Sequence, residues 1–219
     1  MNTQRTRCVR CGECCLKSSP TLQVEDLPLI ENGWLPKKSL LTIRKGEMVR
    51  DNIRGTLTLT DREMIKVRER KGAGRGCLFY DDQGKACRIY SHRPLQCAVL
   101  KCWDTKEFMR VFEGPKLARA SLIHDETLRG LLDVHEKRCS YRLLESCVRD
   151  IPKRGEEAVK RVMELLRFDF HLRNLVCTKL GIDEGEMDFL FGRPMVDTIV
   201  MFGLKVVQEP DGSFLLTTV

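Results

Sequence analysis

Apolar residues recur at helical spacing through the second half of the chain, and Gly and Pro mark the points where the repeat stops. Asp104 is a candidate N-cap for a first helix, which is broken at Gly114 and Pro115. The sequence from Pro210 to Gly212 favours a hairpin turn near the end of the chain. The predicted elements are helices over 117–137, 140–149, 155–180 and 184–191 and hairpin strands over 198–208 and 213–217.

The first half is less regular, and residues 18–70 separate two groups of cysteines. Gly33 is expected to stop a short helix, and Gly46 is expected to lie in a hairpin turn. Thr60 and Glu63 have the spacing of a capping box and so predict the start of another helix. The predicted elements are a helix over 25–31, hairpin strands over 40–43 and 48–50, and a helix over 60–71. This segment is expected to bring the two cysteine groups together in space.

These elements predict an α+β protein, in which an irregular cysteine-rich region with short hairpins packs on a mainly helical region that ends in a β-hairpin. We expect a single domain over residues 1–219, a length that can bury a hydrophobic core without help from metal. It is predicted to combine a metal-binding region over 1–103, with its insert at 18–70, and a helical region with the terminal hairpin over 104–219.

The composition is typical of a soluble globular protein, with 42% hydrophobic and 32% charged residues. No apolar run approaches the roughly 18 residues that cross a bilayer, and the polar start of the chain leaves no room for a secretory signal before Cys8. We therefore expect a cytoplasmic protein without a membrane segment. Thiols stay reduced there, so the eleven cysteines, an odd number, are expected to bind metal rather than form disulfides.

Four cysteines lie in one octapeptide, Cys8-Val-Arg-Cys-Gly-Glu-Cys-Cys15. Cysteines separated by two residues can direct both sulfurs at one ion, at bond lengths of about 2.3 Å. Gly12 gives this loop the backbone freedom to wrap a bulky centre. The side chains of the adjacent Cys14 and Cys15 are expected to diverge, which suggests that they serve two different irons or two different metal centres.

The second group consists of Cys77, Cys87, Cys97 and Cys102. A turn over 82–84 is expected to place Cys77 and Cys87 opposite each other across a short hairpin. Its spacings are longer than those of the first run, so the hairpin is needed to bring its sulfurs together.

The CxxCxxCC run and the later C-x9-C-x2-Tyr-x2-Arg-Pro-x2-C segment resemble the YkgJ-type cysteine-cluster family, whose domain is described as zinc- or iron-chelating. The residues that carry the resemblance are Cys8, Cys11, Cys14, Cys15, Cys77, Cys87, Tyr90, Arg93, Pro94, Cys97 and Cys102. The resemblance covers roughly residues 8–103 and implies metal binding by the eight cysteines. The cluster is also similar to that of flagellin lysine methylases, which implies an iron–sulfur centre and S-adenosylmethionine-dependent lysine methylation.

Zinc and iron–sulfur centres both use four thiolates, so the residue types alone leave the metal open. All-cysteine ligation without an evident histidine favours an iron–sulfur cluster over zinc. Eight thiolates can hold two four-ligand centres, or one centre with spare cysteines.

Three functional classes follow from these alternatives. The first is a redox or electron-transfer protein whose centre is itself the activity, and the second is a methylase-like enzyme that binds S-adenosylmethionine. The third is a zinc-stabilised structural or interaction module. No S-adenosylmethionine motif is recognised, and no catalytic acid, base or nucleophile can be assigned, so enzymatic activity stays open.

The remaining three cysteines lie in or beside predicted helices. Cys139 is four residues from His135 and is a candidate additional ligand, with a buried thiol as the alternative. Cys147 and Cys177 are expected to pack as small apolar residues.

The net charge of +7 arises entirely before Cys77, where 16 Lys and Arg accompany 9 Asp and Glu. Solvated surface charge is the favoured explanation, and compensation of metal-bound thiolates is the second. Nucleic-acid binding is disfavoured because no basic run exceeds two residues. The sequence does not identify a protein partner.

Overall fold

The computed structural model describes residues 8–51, 54–70, 76–209 and 214–219. The chain divides into two compact units: unit 1 comprises Met1–Leu41 and Met64–Leu122, and unit 2 comprises Thr42–Glu63 and Ile123–Val219. The single domain over residues 1–219 stays a prediction. Within the described ranges, no helix combines the length and the apolar character needed to cross a membrane.

The fold class is α+β, as predicted, with short antiparallel strand pairs, a helical C-terminal region and a terminal hairpin of β7 and β8. The helices are α1 (Glu13–Lys17), α2 (Leu27–Glu31), α3 (Leu95–Val99), α4 (Lys106–Glu113), α5 (Glu126–Arg138), α6 (Tyr141–Arg154), α7 (Glu156–Leu180), α8 (Met187–Phe191) and α9 (Met195–Thr198). The strands are β1 (Leu40–Ile43), β2 (Met48–Asp51), β3 (Thr56–Leu59), β4 (Met64–Val67), β5 (Tyr80–Asp81), β6 (Ala86–Cys87), β7 (Leu204–Gln208) and β8 (Phe214–Thr218).

The helix predicted over 60–71 is wrong, because residues 64–67 form the strand β4. Ile65 and Val67 are both buried, which is the two-residue alternation of a strand rather than a helical repeat. The hydroxyl of Thr60 donates to the carbonyl of Arg44 at 2.7 Å and therefore does not cap a helix.

The strands predicted at 40–43 and 48–50 exist, but they do not pair with each other as a hairpin. β1 pairs with β4, and β2 pairs with β3 in the register Met48↔Leu59. The glycine of the predicted turn, Gly46, instead donates its amide to the carbonyl of Thr60 at 2.8 Å. The strand β3 was absent from the prediction; it alternates Thr and Leu over only four residues, and all four are exposed.

Unit 2 is organised around α6 and α7, whose apolar faces enclose a core. Its fully or nearly buried members are Cys139, Tyr141, Leu144, Cys147, Val162, Met163, Leu166, Met195 and Ile199. The helix predicted from residue 117 begins only at Glu126, where Asp125 accepts a hydrogen bond of 2.7 Å from the amide of Leu128 and caps α5.

The terminal hairpin is confirmed, with β7 and β8 paired in the register Val206↔Leu216. Its first strand is shorter than predicted, because Ile199–Phe202 form a 3₁₀ turn and Gly203 then adopts a positive φ of 75°. The predicted turn at 210–212 lies outside the described residues.

A buried network of charged side chains also connects helices of unit 2. The carboxylate of Asp169 on α7 accepts hydrogen bonds from His135 Nε2 at 2.7 Å and from Arg173 Nε at 3.0 Å. Its second oxygen accepts the amide of Met195 at 2.9 Å, at the start of α9. Asp169 therefore joins α5, α7 and α9 through one carboxylate.

Candidate metal centre

The first cysteine run leads into α1. Cys8 and Cys11 lie in the irregular segment before this helix and are exposed, whereas Cys14 and Cys15 lie on its first turn. The Sγ atoms of Cys14 and Cys15 are 3.9 Å apart, so the expectation that these two side chains diverge is wrong. Cys14 is exposed and Cys15 is half-buried.

A backbone hydrogen bond joins the first run to the second group. The amide of Cys77 donates to the carbonyl of Cys15 at 2.7 Å, and the Cys77 side chain is buried. Gly76 makes this approach possible, since a Cβ there would lie 2.7 Å from the Cys15 carbonyl oxygen. The two cysteine groups therefore meet at Cys15 and Cys77.

The short hairpin of the second group has a register that differs from the prediction. Cys87 on β6 lies opposite Tyr80 on β5, while Cys77 forms an isolated bridge with Glu69. The physical reason is the position of the turn: it spans 82–85, so the residue opposite Cys87 is Tyr80, and Cys77 lies three residues further from the turn. Cys87 is half-buried at this strand edge.

Cys97 lies on α3, and a buried carboxylate fixes the start of that helix. Asp26 accepts the amide of Leu95 at 2.7 Å through one oxygen and the amide of Gln23 at 2.8 Å through the other. Asp26 is 2% exposed, and burial raises its pKa although these two amides oppose the shift. This anchor was not predicted from the sequence, because the two residues it joins are 69 positions apart.

Cys102 is exposed and lies in a turn that the bridge between Lys101 and Asp104 closes. Cys102 and Cys8 are thus the most peripheral members of the two groups, one beyond α3 and the other before α1.

The sulfurs influence one another electrostatically. The hydrogen bond with the Cys15 side chain lowers the pKa of the Cys14 thiol to about 6, and the same contact raises the pKa of Cys15. Burial raises the pKa of Cys97, and the thiols of Cys77 and Cys87 raise it further. Because adjacent thiolates repel, a bound cation would favour the deprotonated forms of Cys15 and Cys97, which their raised pKa values disfavour.

Two aromatic residues contact the segments that carry the cysteines. Tyr90 contacts two guanidinium groups, with its ring centroid 4.1 Å from Cζ of Arg93 and 4.7 Å from Cζ of Arg10. Tyr90 and Arg93 belong to the motif of the second group, so this contact links that motif to the loop between Cys8 and Cys11. The residue pattern gave Tyr90 and Arg93 as motif positions but did not indicate Arg10.

Tyr80 is the second of these aromatic residues, and its side chain packs against Gly12. An added Cβ at Gly12 would lie 2.1 Å from the Tyr80 hydroxyl oxygen, and Gly12 has a φ of 79°. Glycine is therefore required there for both space and backbone conformation.

We expect Gly12→Ala to displace the first cysteine run from Tyr80 and to lower the metal content of the purified protein. The matched control is Gly33→Ala, which has a similar φ of 77° but open space around its Cβ position. The control should lose about 1–2 kcal/mol of stability from the left-handed backbone alone and keep its metal. Metal per chain, measured after dialysis, separates the variants, and wild-type metal content in Gly12→Ala would contradict the steric role of Tyr80.

The cysteine thiols are suitable donors for a thiophilic metal, but in the structure they do not surround a common point. Among the residues that the structure describes, no three Cys, His, Asp or Glu side chains are disposed to hold one ion as they stand. Metal binding would therefore need the cysteine side chains in a different arrangement from the one in the structure. Soft thiolates suit zinc and iron in this setting.

The other candidate cysteines lie in different surroundings. Cys139 is buried in the unit 2 core, with its Sγ 3.8 Å from the carbonyl oxygen of Leu165, and its role as an additional ligand stays a prediction. His135 is fully buried and bound to Asp169. Cys147 is buried in the same core, as expected for a small apolar residue, and Cys177 is half-buried.

The cysteine-rich segments, their close backbone approach and their thiol donor set define a metal-chelating class of protein. Residues 7–114 match the model of the CxxCxxCC family, whose description is "Putative zinc- or iron-chelating domain". The match covers 108 of the 219 residues, all in the amino-terminal part of the chain. Neither the curated proteins nor the solved structures gave a match to the chain.

Proposed function

We propose that this protein binds zinc or iron through eight cysteine thiolates, with an iron–sulfur cluster as the favoured occupant and electron transfer as its use. The proposed ligands are Cys8, Cys11, Cys14, Cys15, Cys77, Cys87, Cys97 and Cys102. The observation that carries the proposal is the backbone hydrogen bond of 2.7 Å from the amide of Cys77 to the carbonyl of Cys15, which joins the two cysteine-bearing segments.

The charge of unit 1 supports this assignment. Its sequence contains 19 Lys and Arg and 10 Asp and Glu, so it carries a formal charge of +9, whereas the whole chain carries +7. A four-thiolate zinc site or [4Fe–4S]²⁺ cluster carries about −2, which basic neighbours stabilise. Arg10 and Arg93, both stacked on Tyr90, are basic side chains placed among the cysteine segments.

The chain itself would supply the thiolates, their anchoring and their surroundings. A bound iron–sulfur cluster would supply one-electron chemistry, and a bound zinc ion would supply a cross-link without redox activity. Asp26 holds the helix of Cys97 in place, and Tyr80 positions the first run through Gly12. We place this centre in the reducing cytoplasm, where free thiols persist.

Zinc is the second candidate, and one distance favours it. Two sulfurs at about 2.3 Å from a tetrahedral ion are separated by about 3.8 Å. The Sγ atoms of Cys14 and Cys15 are 3.9 Å apart, so both can reach one mononuclear ion. Under this alternative the metal would stabilise the fold or an interaction surface.

Metal analysis of anaerobically purified protein tests the proposal. An iron–sulfur protein should be brown, absorb near 400 nm, contain iron and acid-labile sulfide, and bleach reversibly with dithionite. Colourless protein with stoichiometric zinc would exclude the favoured occupant and support the second candidate. Protein that takes up neither metal under reducing conditions would exclude both.

A further inference from the structure

We infer that unit 1 binds single-stranded nucleic acid on a surface beside the second cysteine group. A base stacks on the exposed indole of Trp34 in this arrangement. The phosphates of the strand contact Arg10, Lys38 and Arg93. The inference goes beyond the proposed metal binding and does not depend on which metal the thiols hold.

The surface is centred on a stacked pair of rings. The ring centroids of Trp34 and His92 are 3.5 Å apart, and the two ring planes differ by 8°. The hydroxyl oxygen of Ser91 lies 3.0 Å from Nδ1 of His92 and restrains the imidazole. His92 covers one face of the indole, yet Trp34 is still 46% exposed. Trp34 and His92 therefore form a stacking platform, on which any base can gain stacking energy because every base has a flat aromatic face.

Two guanidinium groups lie next to the stacking platform. Tyr90 and His92 belong to one 3₁₀ turn, and Arg93 follows that turn directly. The ring of Tyr90 holds the guanidinium groups of both Arg93 and Arg10 through its centroid contacts of 4.1 Å and 4.7 Å. Consecutive Cα atoms are about 3.8 Å apart, so Arg93 begins one residue from the imidazole that stacks on Trp34. A strand with a base on the platform therefore passes two fixed cations.

Lys38 is a third cation near the platform, since it is exposed and follows Trp34 by four residues. Among the described residues, Arg10, Lys38 and Arg93 form no ion pair with a carboxylate. Other basic side chains of unit 1 are already neutralised, as in the ion pairs Lys66–Glu69, Arg70–Asp82 and Arg110–Glu107. The three cations at the platform are thus the ones available to phosphates.

The charges of the two units agree with an anionic partner for unit 1. Unit 1 carries a formal charge of +9, whereas unit 2 contains 19 Lys and Arg and 21 Asp and Glu and carries −2. The sequence alone disfavoured nucleic acid because no basic run exceeds two residues. The fold removes that objection, because the contacts of Tyr90 and Trp34 bring basic residues from three separate segments to one surface.

The stacking platform decides which anionic partner fits. In a duplex both faces of each base are covered by neighbouring bases, whereas a single strand can present a base face to an aromatic side chain. An acidic protein would meet the same three cations but would gain little from a flat indole. The exposed platform therefore favours a single strand over both alternatives.

Fluorescence anisotropy with the full chain tests the inference. The probes are labelled oligothymidylate and oligouridylate of about 12 nucleotides. Binding of either strand supports the inference, and the tighter of the two identifies the preferred sugar. The logarithm of the binding constant should fall with the logarithm of salt concentration at a slope of about −2, since each of three phosphate contacts on a single strand contributes about −0.7. A duplex of the same length should bind more weakly at the same salt concentration.

Variants separate stacking from charge. Trp34→Ala should weaken binding by about 5- to 150-fold with an unchanged salt slope, and Trp34→Phe should restore most of the affinity. Lys38→Gln should reduce the steepness of the salt slope by about 0.7. The matched control is Phe170→Ala, because Phe170 is 60% exposed and its ring pairs with that of His171 at 5.6 Å, but in the negatively charged unit 2. The control should bind as tightly as the wild-type chain.

A second readout follows the indole itself. The chain has two tryptophans, so Trp103→Phe leaves Trp34 as the only one. Its emission should be quenched as oligothymidylate saturates the protein, because the base stacks on the indole. This measurement keeps the stacking platform intact and does not depend on the folding of Trp34→Ala.

The outcomes that would overturn the inference are distinct from those for metal binding. Failure of both strands to bind at low salt would overturn it, as would wild-type affinity in Trp34→Ala or unquenched Trp34 emission at saturation. Polyglutamate bound as tightly as the single strand would assign the surface to an acidic protein instead, and a duplex bound as tightly would exclude stacking. None of these results changes the metal content of the protein, by which the proposed function is judged.

Discussion

Removing the metal is expected to release the cysteine-bearing segments of unit 1 while the hydrophobic core of that unit stays folded. These segments have little regular structure of their own, since α1 and α3 have five residues each and β5 and β6 have two residues each. Helices and strands this short are not stable alone. Structural zinc contributes apparent binding free energies of about 10–16 kcal/mol in small zinc peptides, which makes this the largest effect expected.

The core of unit 1 has a different source of stability. Its buried side chains include Leu22, Leu35, Ile65, Val67 and Leu117. The amide of Leu22 also donates to the carbonyl of Ile65 at 2.8 Å, which joins the segment before α2 to β4. This contact involves no cysteine and should survive chelation.

Amide hydrogen exchange, measured before and after anaerobic chelation, checks the expectation. The amides of Cys77 and Arg88, bonded to the carbonyls of Cys15 and Phe79, should lose protection. The amide of Leu22 and the helices α6 and α7 should keep theirs, which makes them internal controls. Unchanged protection at Cys77 after complete metal removal would mean that the backbone contact holds without metal.

The sequence identified the cysteine motif better than it identified which distant residues contact each other. The spacing of the cysteines identified the resemblance to the family, because ligand chemistry depends on residue type and short spacing; the assignment of the eight cysteines as ligands stays a prediction. It could not identify Asp26, whose partner Leu95 lies far along the chain, or the contact of Tyr80 with Gly12. Such contacts depend on tertiary packing, which leaves no periodic signal.

The secondary structure also divides into elements that the sequence predicted and elements that it did not. The long amphipathic helices α6 and α7 were predicted, because many residues contribute to a helical repeat. The strand β4 was mistaken for a helix, because a local capping pattern at Thr60 outweighed the short alternation of Ile65 and Val67. A four-residue strand has too few positions for periodicity alone to distinguish it from a helix. Which strands pair depends on packing with residues elsewhere in the chain.

Replacing Asp169 by Asn is expected to destabilise unit 2 by about 3–5 kcal/mol, the cost of breaking a buried ion pair from one side. Asp169 is 2% exposed, and the change would leave the guanidinium of Arg173 without its anion. Arg173 also donates to the carbonyls of Phe191 at 3.2 Å and Gly192 at 3.0 Å, so its displacement would loosen the segment after α8.

The control is Glu145→Gln, which removes another ion pair within a helix. The Glu145–Arg149 pair has a distance of 2.6 Å, but its side chains are 48% and 73% exposed. Exposed pairs contribute about 0–1 kcal/mol, so this variant should unfold near the wild-type midpoint in urea. Equal losses in the two variants would show that burial does not determine the contribution of Asp169.

The dependence of stability on pH gives the same network a second test. Burial lowers the pKa of His135, and its hydrogen bond to Asp169 only partly opposes the shift. The unfolded chain therefore binds a proton below about pH 6.5 that the folded chain resists, so stability should be full above that pH and fall as the pH decreases through the folded pKa. Asp169→Asn removes the interaction that supports the charged imidazole and should widen this loss toward lower pH. His135→Gln removes the titration, and a wild-type decline that persists unchanged in that variant would assign the pH dependence to other groups.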